Sequence, residues 1–568
     1  MRELEIDRVL GKVLAFGAAI TTVFLLSGTN TDPVNVTKLF AGGVAAAAAG
    51  AILVIFNLKN LFRSHRVTLL LALLFLFALL NSTFNSGAPL SQAFYGTYGR
   101  NTGSLTYIFL VIVLLSGISL ITYNSIKFST YAILVAGTLN VFYCGWVLLF
   151  GDFIGWNNPY GNILGLFGNP DFISAFLGMY IAGTISFVFK EDLALSRRIP
   201  LVVLALIAFI EIVKSHAIQG IVVTIGGLGI VFFFKLRSRL SSWLVPTIYI
   251  LSATFVSFIA ILGTLQRGPF TFLYKRSVSL RGTYWQSGIN MGTEKPWTGI
   301  GMDTYGDWYR RMRPPIALID TPGISTFSNV AHNVVIDFFA FGGWPLLLTY
   351  ISLLFVGLIS IIKVIYRKRA YDYVFVALTS IWLCYQVQSI ISINQIGLAI
   401  WGWLFTGLLV AYERNNRLGL IDITELPPRK KSSKSVVKHS LISPGLVAGV
   451  GAVVGALIAV PPLSSDMKWF KAINSHNAQQ VELALGIEYM NPGNSFKYAQ
   501  AVQLFQSSNL LDQAHKYAFE AVKFNPDYFD AWKQIYYLPG ATEIEKKLAL
   551  ENMTRLDPKN PDPTRNYE

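Results

Sequence analysis

The stretch VTLLLALLFLFALLNSTF at residues 67–84 carries no charge, and its polar residues gather toward its end at Asn81, Ser82 and Thr83. A helix needs about 20 mostly apolar residues to cross the hydrocarbon of a bilayer. This run is long and apolar enough to be one, and Arg63 and Arg66 stand just before it. Working outward, similar runs lie near 9–27, 39–57, 103–123, 130–150, 172–189, 199–214, 217–234, 243–264, 344–364, 373–391, 395–412 and 441–462. The expected fold is therefore all-α, a polytopic helical membrane protein with about 12–13 spans. Composition agrees, since 53% of the chain is hydrophobic and 14% charged, against roughly 25% charged in soluble domains. The first run, Val9–Leu26, lacks a small-residue cleavage site followed by a polar region and reads as a span.

Charge tests the span count. With the N-terminus cytoplasmic, Arg2, Arg8 and Lys12 share a side with Lys59, Arg63 and Arg66, with Lys127, and with Lys190, Arg197 and Arg198. Lys235, Arg237 and Arg239, then Arg367, Lys368 and Arg369, and finally Arg414, Arg417, Arg429, Lys430, Lys431, Lys434 and Lys438 fall on that side too. That is the positive-inside pattern. A net charge of +15 would suggest nucleic acid in a soluble chain; here it marks membrane orientation, and no nucleic-acid partner is expected.

Four segments follow. Residues 1–412 form a multi-span domain with a large outer loop at 265–331, and 413–440 a basic cytoplasmic linker that meets anionic lipid. A last span occupies 441–462, and 466–568 an extracytoplasmic soluble helical-repeat domain. In that tail Pro492 and Pro526 are 34 residues apart, the tetratricopeptide period. Tyr498, Phe505, Ala514, Ala521 and Pro526 sit where that repeat wants aromatic, small and terminating residues. A concave face for a protein partner, or a helical hairpin packed on the outer loop, both fit. The tail is expected to be separable from the chemistry.

The outer connections carry the candidate chemistry. The large loop holds Arg267, Lys275, Arg276, Arg281, Lys295, Arg310, Arg311 and Arg313 on the side where cations are disfavoured. They are either a solvated face or an anion site, for which the guanidinium fork is suited. At 156–160 and 165–171, Trp156, Asn157, Asn169 and Asp171 could bind sugar hydroxyls, or Asn169 and Asp171 could cap a helix. Tyr98-Gly99-Arg100-Asn101-Thr102-Gly103 could bring backbone and Arg100 to a ligand. His332 stands at the mouth of a membrane helix, where it is either a packing residue or a base for a hydroxyl. No Walker loop, HExxH, CxxC or DxD pair is present, and the only cysteines are Cys144 and Cys384, so no metal or cofactor is expected.

These motifs together resemble the O-antigen ligase and polysaccharide polymerase superfamily of membrane glycosyltransferases. The resemblance rests on Gly-Arg-Asn-Thr-Gly at 99–103, Gly-Leu-Phe-Gly-Asn-Pro-Asp at 165–171, Arg281 with Tyr284-Trp285, Pro296 through Gly301, and His332-Asn333 ahead of Gly343. It implies transfer of a glycan from a polyprenyl-diphosphate carrier to a hydroxyl of a lipid-linked sugar or a protein, without a metal, at the outer face of the cytoplasmic (inner) membrane. By the same resemblance His332 is the catalytic histidine and Arg281 binds diphosphate. A second family arginine is replaced here by Ser215-His216, leaving Lys214, His216, Arg100 or a loop arginine to substitute. Asn169, Asp171, Gln219, Trp285 and Asn333 are candidate glycan or acceptor contacts. The competing reading is a transporter or flippase of lipid-linked saccharides, for which mid-membrane ionisable residues are expected. Glu211 and Lys214 lie near one helix end, where they can pair at i, i+3.

Overall fold

The computed structural model describes residues 2–156, 158–240, 242–264, 267–269, 276–319, 323–325, 327–419 and 442–564. Asn157, Lys275, the side chain of Arg276 and nearly all of the basic linker, including Arg429, Lys430, Lys431, Lys434 and Lys438, lie outside them. Among the described residues the secondary structure is helical, with no strand beyond an isolated bridge between Glu488 and Asn491. The chain is a polytopic helical membrane protein: ten helices are long and apolar enough to cross a membrane.

Each of the thirteen expected runs coincides with a helix. Three fall outside the ten, each for a visible reason. Arg2–Val23 opens with charges through Lys12, Ser104–Ile118 has 15 residues, and Leu195–Lys214 carries Arg197, Arg198, Glu211 and Lys214. The expected Glu211–Lys214 pair does not form. Glu211 turns inward toward Gly145, and among the described residues neither carboxylate oxygen has a partner, while Lys214 is exposed.

Burial follows sequence. Ile396–Arg417 is the central helix, buried throughout its apolar stretch, and Leu244–Thr264 is peripheral. Small residues set the closest approach. The Cβ of an alanine at Gly455 would lie 2.5 Å from the Gly43 carbonyl oxygen, and one at Gly451 would lie 2.6 Å from that of Ala47. The helices Asn35–Ile52 and Pro444–Asn474 therefore touch along their backbones, the means by which membrane helices associate without a hydrophobic gradient. Pro444–Asn474 continues unbroken past Pro461 and Pro462, well beyond the expected limit of its span.

The bundle has two chemically distinct ends. At one, Asp7 accepts from the backbone N–H of Ile121 at 2.6 Å, Arg414 donates to the carbonyls of Ile118 and Leu120, and Arg367 pairs with Glu413 at 2.6 Å. The basic connections gather here. At the other end Asn35 Nδ2 donates to the Gly99 carbonyl at 2.9 Å and Ser91 Oγ to the Gly493 carbonyl at 2.9 Å. This end holds the 24–34, 86–103, 151–169 and 295–333 connections and the C-terminal helices. Those helices, Ala478–Leu485, Ser495–Ser507, Leu511–Phe524, Phe529–Tyr536 and Glu543–Leu556, pack in succession around their own core. Tyr498, Phe505, Ala514 and Ala521 are buried in that core.

Candidate functional site

Three segments converge at the second end. The helix Arg276–Glu294 lies against the start of Val334–Arg367, close enough that a Cβ on Gly288 would sit 2.6 Å from Ile336. That contact brings Tyr284 over the turn just before the second helix. The rings of Tyr284 and His332 stack with centroids 5.5 Å apart and planes at 25°. His332 has φ +56°, a left-handed backbone that histidine adopts more readily than most side chains. The turn is braced on both sides. Asn333 Oδ1 caps the following helix, accepting from the N–H groups of Val335 and Ile336, and Asp337 Oδ1 reaches back to accept from the N–H of Ala331 at 2.7 Å.

Two guanidinium groups lie within electrostatic reach of this imidazole. Burial pushes the His332 pKa down to about 3, and the nearby positive charges of Arg281 and Arg100 add to the shift. The ring is therefore neutral at ordinary pH. Arg281 comes from the helix one turn before Tyr284, and the carboxylate of Asp171 acts on it. Arg100 comes from the 97–102 loop, and the carboxylates of Asp303 and Asp337 act on it. Among the described residues neither guanidinium forms a salt bridge or a hydrogen bond, although burial lowers the pKa of both. Two desolvated arginines with carboxylates in electrostatic reach but no ion pair among the described residues form a site with capacity for an anion.

Asp303 positions the Arg100 loop. Its Oδ2 accepts from the N–H of Thr97 at 2.8 Å and of Thr102 at 3.1 Å, clamping both ends of the segment. Its own pKa is raised to about 6, mainly by burial and against those two hydrogen bonds.

The remaining candidates divide. Asn169 caps the helix Pro170–Val188, accepting from the N–H of Asp171 at 2.8 Å, and its Nδ2 lies 3.4 Å from the Tyr160 hydroxyl. Tyr160 is in turn within electrostatic reach of Arg100. Cap and site neighbour are thus the same residue. Gln219 is buried, both polar atoms of its amide lack a partner among the described residues, and its neighbour Gly220 packs on Ser174, one turn after Asp171. Trp285 has a buried Nε1 without a partner among the described residues. Asn333 is engaged as a cap. Lys214 and His216 are exposed at the turn between Leu195–Lys214 and Ile218–Arg239, and no contact ties them to His332. Arg100, like Arg281, lies within electrostatic reach of His332.

Residues 201–351 match the family model described as O-antigen ligase. None of the curated proteins matches the chain. The match is partial, and it supports a membrane glycan ligase or polymerase role in general terms. It includes Arg281, Tyr284 and His332, while Arg100, Tyr160, Asn169 and Asp171 join the cluster from outside the matched segment.

Two motifs turn out to serve the scaffold. Pro296-Trp297-Thr298-Gly299-Ile300-Gly301 docks on a break in Val334–Arg367, where Gly343 has φ +64° and ψ −158°. Pro345 has no N–H to bond the carbonyl four residues back. The carbonyls of Ala340 and Phe341 accept instead from the N–H groups of Ile300 at 2.9 Å and Gly301 at 3.1 Å, and Trp344 N–H returns to the Pro296 carbonyl at 2.8 Å. Arg310, Arg311 and Arg313 of the loop are neither a solvated face nor part of the anion site. Arg311 pairs with Asp527 at 2.8 Å, Arg310 lies over the Phe529 ring at 4.5 Å, and fully buried Arg313 pairs with fully buried Asp557 at 2.7 Å. They fasten the outer loop to the C-terminal helices, and Lys295 donates to the Ser86 carbonyl.

The sequence reading missed Tyr284 as a ring partner and Asp303, Asp337 and Tyr160 as neighbours. Tyr284 could have been found one turn after Arg281. Asp337 falls in the first turn after Asn333, where carboxylates favour the helix dipole.

Proposed function

We propose that the protein transfers a glycan from a polyprenyl-diphosphate carrier to a hydroxyl acceptor at the outer face of the cytoplasmic membrane, with its N-terminus inside and its C-terminal domain outside. The supporting observation is a neutral imidazole in the field of two guanidinium groups that have no ion pair among the described residues, at the end of the bundle opposite the basic connections. His332 takes the proton of the acceptor hydroxyl as its oxygen attacks the anomeric carbon. The bond from that carbon to the phosphate oxygen breaks, and the diphosphate leaves with the electron pair. Arg281 and Arg100 meet the charge that develops on it. No metal is required by this scheme.

A base with a pKa near 3 is weak, and the donor itself corrects that. Diphosphate between the two arginines offsets the positive field they impose on the ring, so binding raises His332 toward its ordinary range. The imidazole becomes an effective base when a leaving group is in place. The C-terminal helix pairs are read as tetratricopeptide-like, on the 34-residue spacing of Pro492 and Pro526.

The test is transfer in proteoliposomes from a purified lipid-diphosphate glycan to its acceptor. His332→Asn, which keeps a residue tolerant of the left-handed turn, should lower the rate by about 10²–10⁴. Arg281→Gln should lower it by about 10²–10³. An active His332→Asn enzyme removes His332 from the chemistry.

A further inference from the structure

The C-terminal helices enclose a groove of about 690 Å³ that the proposed transfer does not use. Its walls are two helix faces. Gln500, Gln503 and Gln506 recur every third residue on Ser495–Ser507, and Lys533, Gln534 and Tyr537 share a face of Phe529–Tyr536 and its end. Two of the amides are half-engaged. Gln500 Oε1 accepts from Trp469 Nε1 at 2.8 Å, so its amide nitrogen is what it can offer a ligand. Gln534 Nε2 donates to the Ala499 carbonyl at 2.9 Å, and its buried Oε1 has no partner among the described residues. The wall therefore presents donors and acceptors together.

The groove continues toward the site. Phe496, Tyr528 and Asp530 line both it and a second cavity of about 220 Å³, which also reaches Gly96, Thr97 and Tyr98. Tyr98 stacks on Phe496 with centroids 4.5 Å apart and planes at 3°. Tyr98 is two residues from Arg100. One trough thus runs from the helix pairs to the loop that carries an arginine of the transfer site.

We propose that this trough holds the sugar chain of the glycan being transferred, along several of its rings. The inference rests on the transfer reading for the identity of the occupant. The lining chemistry selects a neutral, hydroxyl-rich polymer. Amides supply two donors and two acceptor lone pairs each, matching hydroxyls that both give and take hydrogen bonds, and Tyr and Phe offer flat faces. An amphipathic helix would need apolar anchors at i, i+3 and i+4, and an acidic polymer would need an arginine cluster. The two helix faces offer neither, and Lys533 and Asp530 cancel in charge.

The test uses the full-length His332→Asn protein in lipid nanodiscs, over an array of neutral bacterial surface oligosaccharides of graded length and a parallel array of extended peptides. Retention should rise with oligosaccharide length. Adding Gln503→Ala and Gln506→Ala, at positions on the groove surface, should weaken it about tenfold or more with an unchanged melting temperature. Capture of peptides but no oligosaccharide, no capture at all, or oligosaccharide capture indifferent to the two substitutions would each overturn the proposal. Because binding is read in a transfer-deficient protein, a failure here is distinct from a failure of His332→Asn to abolish transfer.

Discussion

His332 occupies a left-handed turn, stacks on Tyr284 and lies in the field of two arginines, and its burial and that field have a consequence for pH. Its folded pKa, about 3, lies below the ordinary 6.5, so the folded state binds fewer protons than the unfolded one. The stability this gives is complete above about pH 6.5 and is lost as pH falls from there toward 3. Asp303 acts in the opposite sense, because its pKa rises from 3.8 to about 6 and its contribution is lost as pH rises through that window. Melting temperatures of wild type and His332→Asn compared from pH 7 to 4 isolate the histidine, and the difference between them should shrink as the pH drops. Kinetics offer a separate check. Arg281→Gln removes a like charge and should move the acid limb of kcat/KM to higher pH. The wild-type limb should lie higher in kcat than in kcat/KM, since only the former reports the donor complex. Part of this was legible in sequence: Arg281 among the cations retained in the outer loop, Arg100 in its glycine-flanked turn, and His332 at the mouth of a helix. What sequence could not supply was their proximity, because the three come from positions far apart in the chain, and the packing of Gly288 on Ile336 brings the helix of Arg281 to the helix that follows His332.

At the scale of elements, the break in Val334–Arg367 is the feature most exposed to mutation. An alanine Cβ at Gly343 would lie 2.1 Å from the Pro296 carbonyl oxygen, and one at Gly299 would lie 2.1 Å from that of Phe341. Gly343→Ala should add about 1–3 kcal/mol of backbone strain to a steric overlap of about 1–3 kcal/mol. The expected result is a protein that accumulates poorly and melts earlier in detergent, as scored by fluorescence-detected gel filtration. Spans were easy to read because hydropathy over some 20 residues sums many small preferences. The Pro296–Gly301 motif misled because glycines that admit a ligand and glycines that admit another backbone have the same sequence signature.

For the whole molecule, the outer loop and the C-terminal helices are packed together, the second of the two arrangements the sequence left open. Arg313 and Asp557 are both fully buried. Asp557→Ala should therefore cost about 3–5 kcal/mol by stranding a charge, whereas Arg313→Met with Asp557→Leu should be close to neutral. Thermal melts of the single and double variants check this. Deletion of 466–568 would uncover Arg310, Arg311 and Arg313 together and remove Phe496 from Tyr98. Transfer should fall with it, although His332 and Arg281 stay in the chain. Sequence could count those arginines and not assign them, since each carboxylate partner lies more than two hundred positions away.

The unbroken helix Pro444–Asn474 adds a dimension to this coupling. Its 31 residues extend about 46 Å at a rise of about 1.5 Å per residue, of which about 30 Å is hydrocarbon thickness. The remainder is a ruler of about three turns that fixes how high the lobe stands above the lipid. It also fixes the angle at which Asp466 meets the backbone of Asp32. Adding a single residue between Pro462 and Asp466 would rotate the lobe by about 100°, so altitude and azimuth cannot be tuned independently in this architecture.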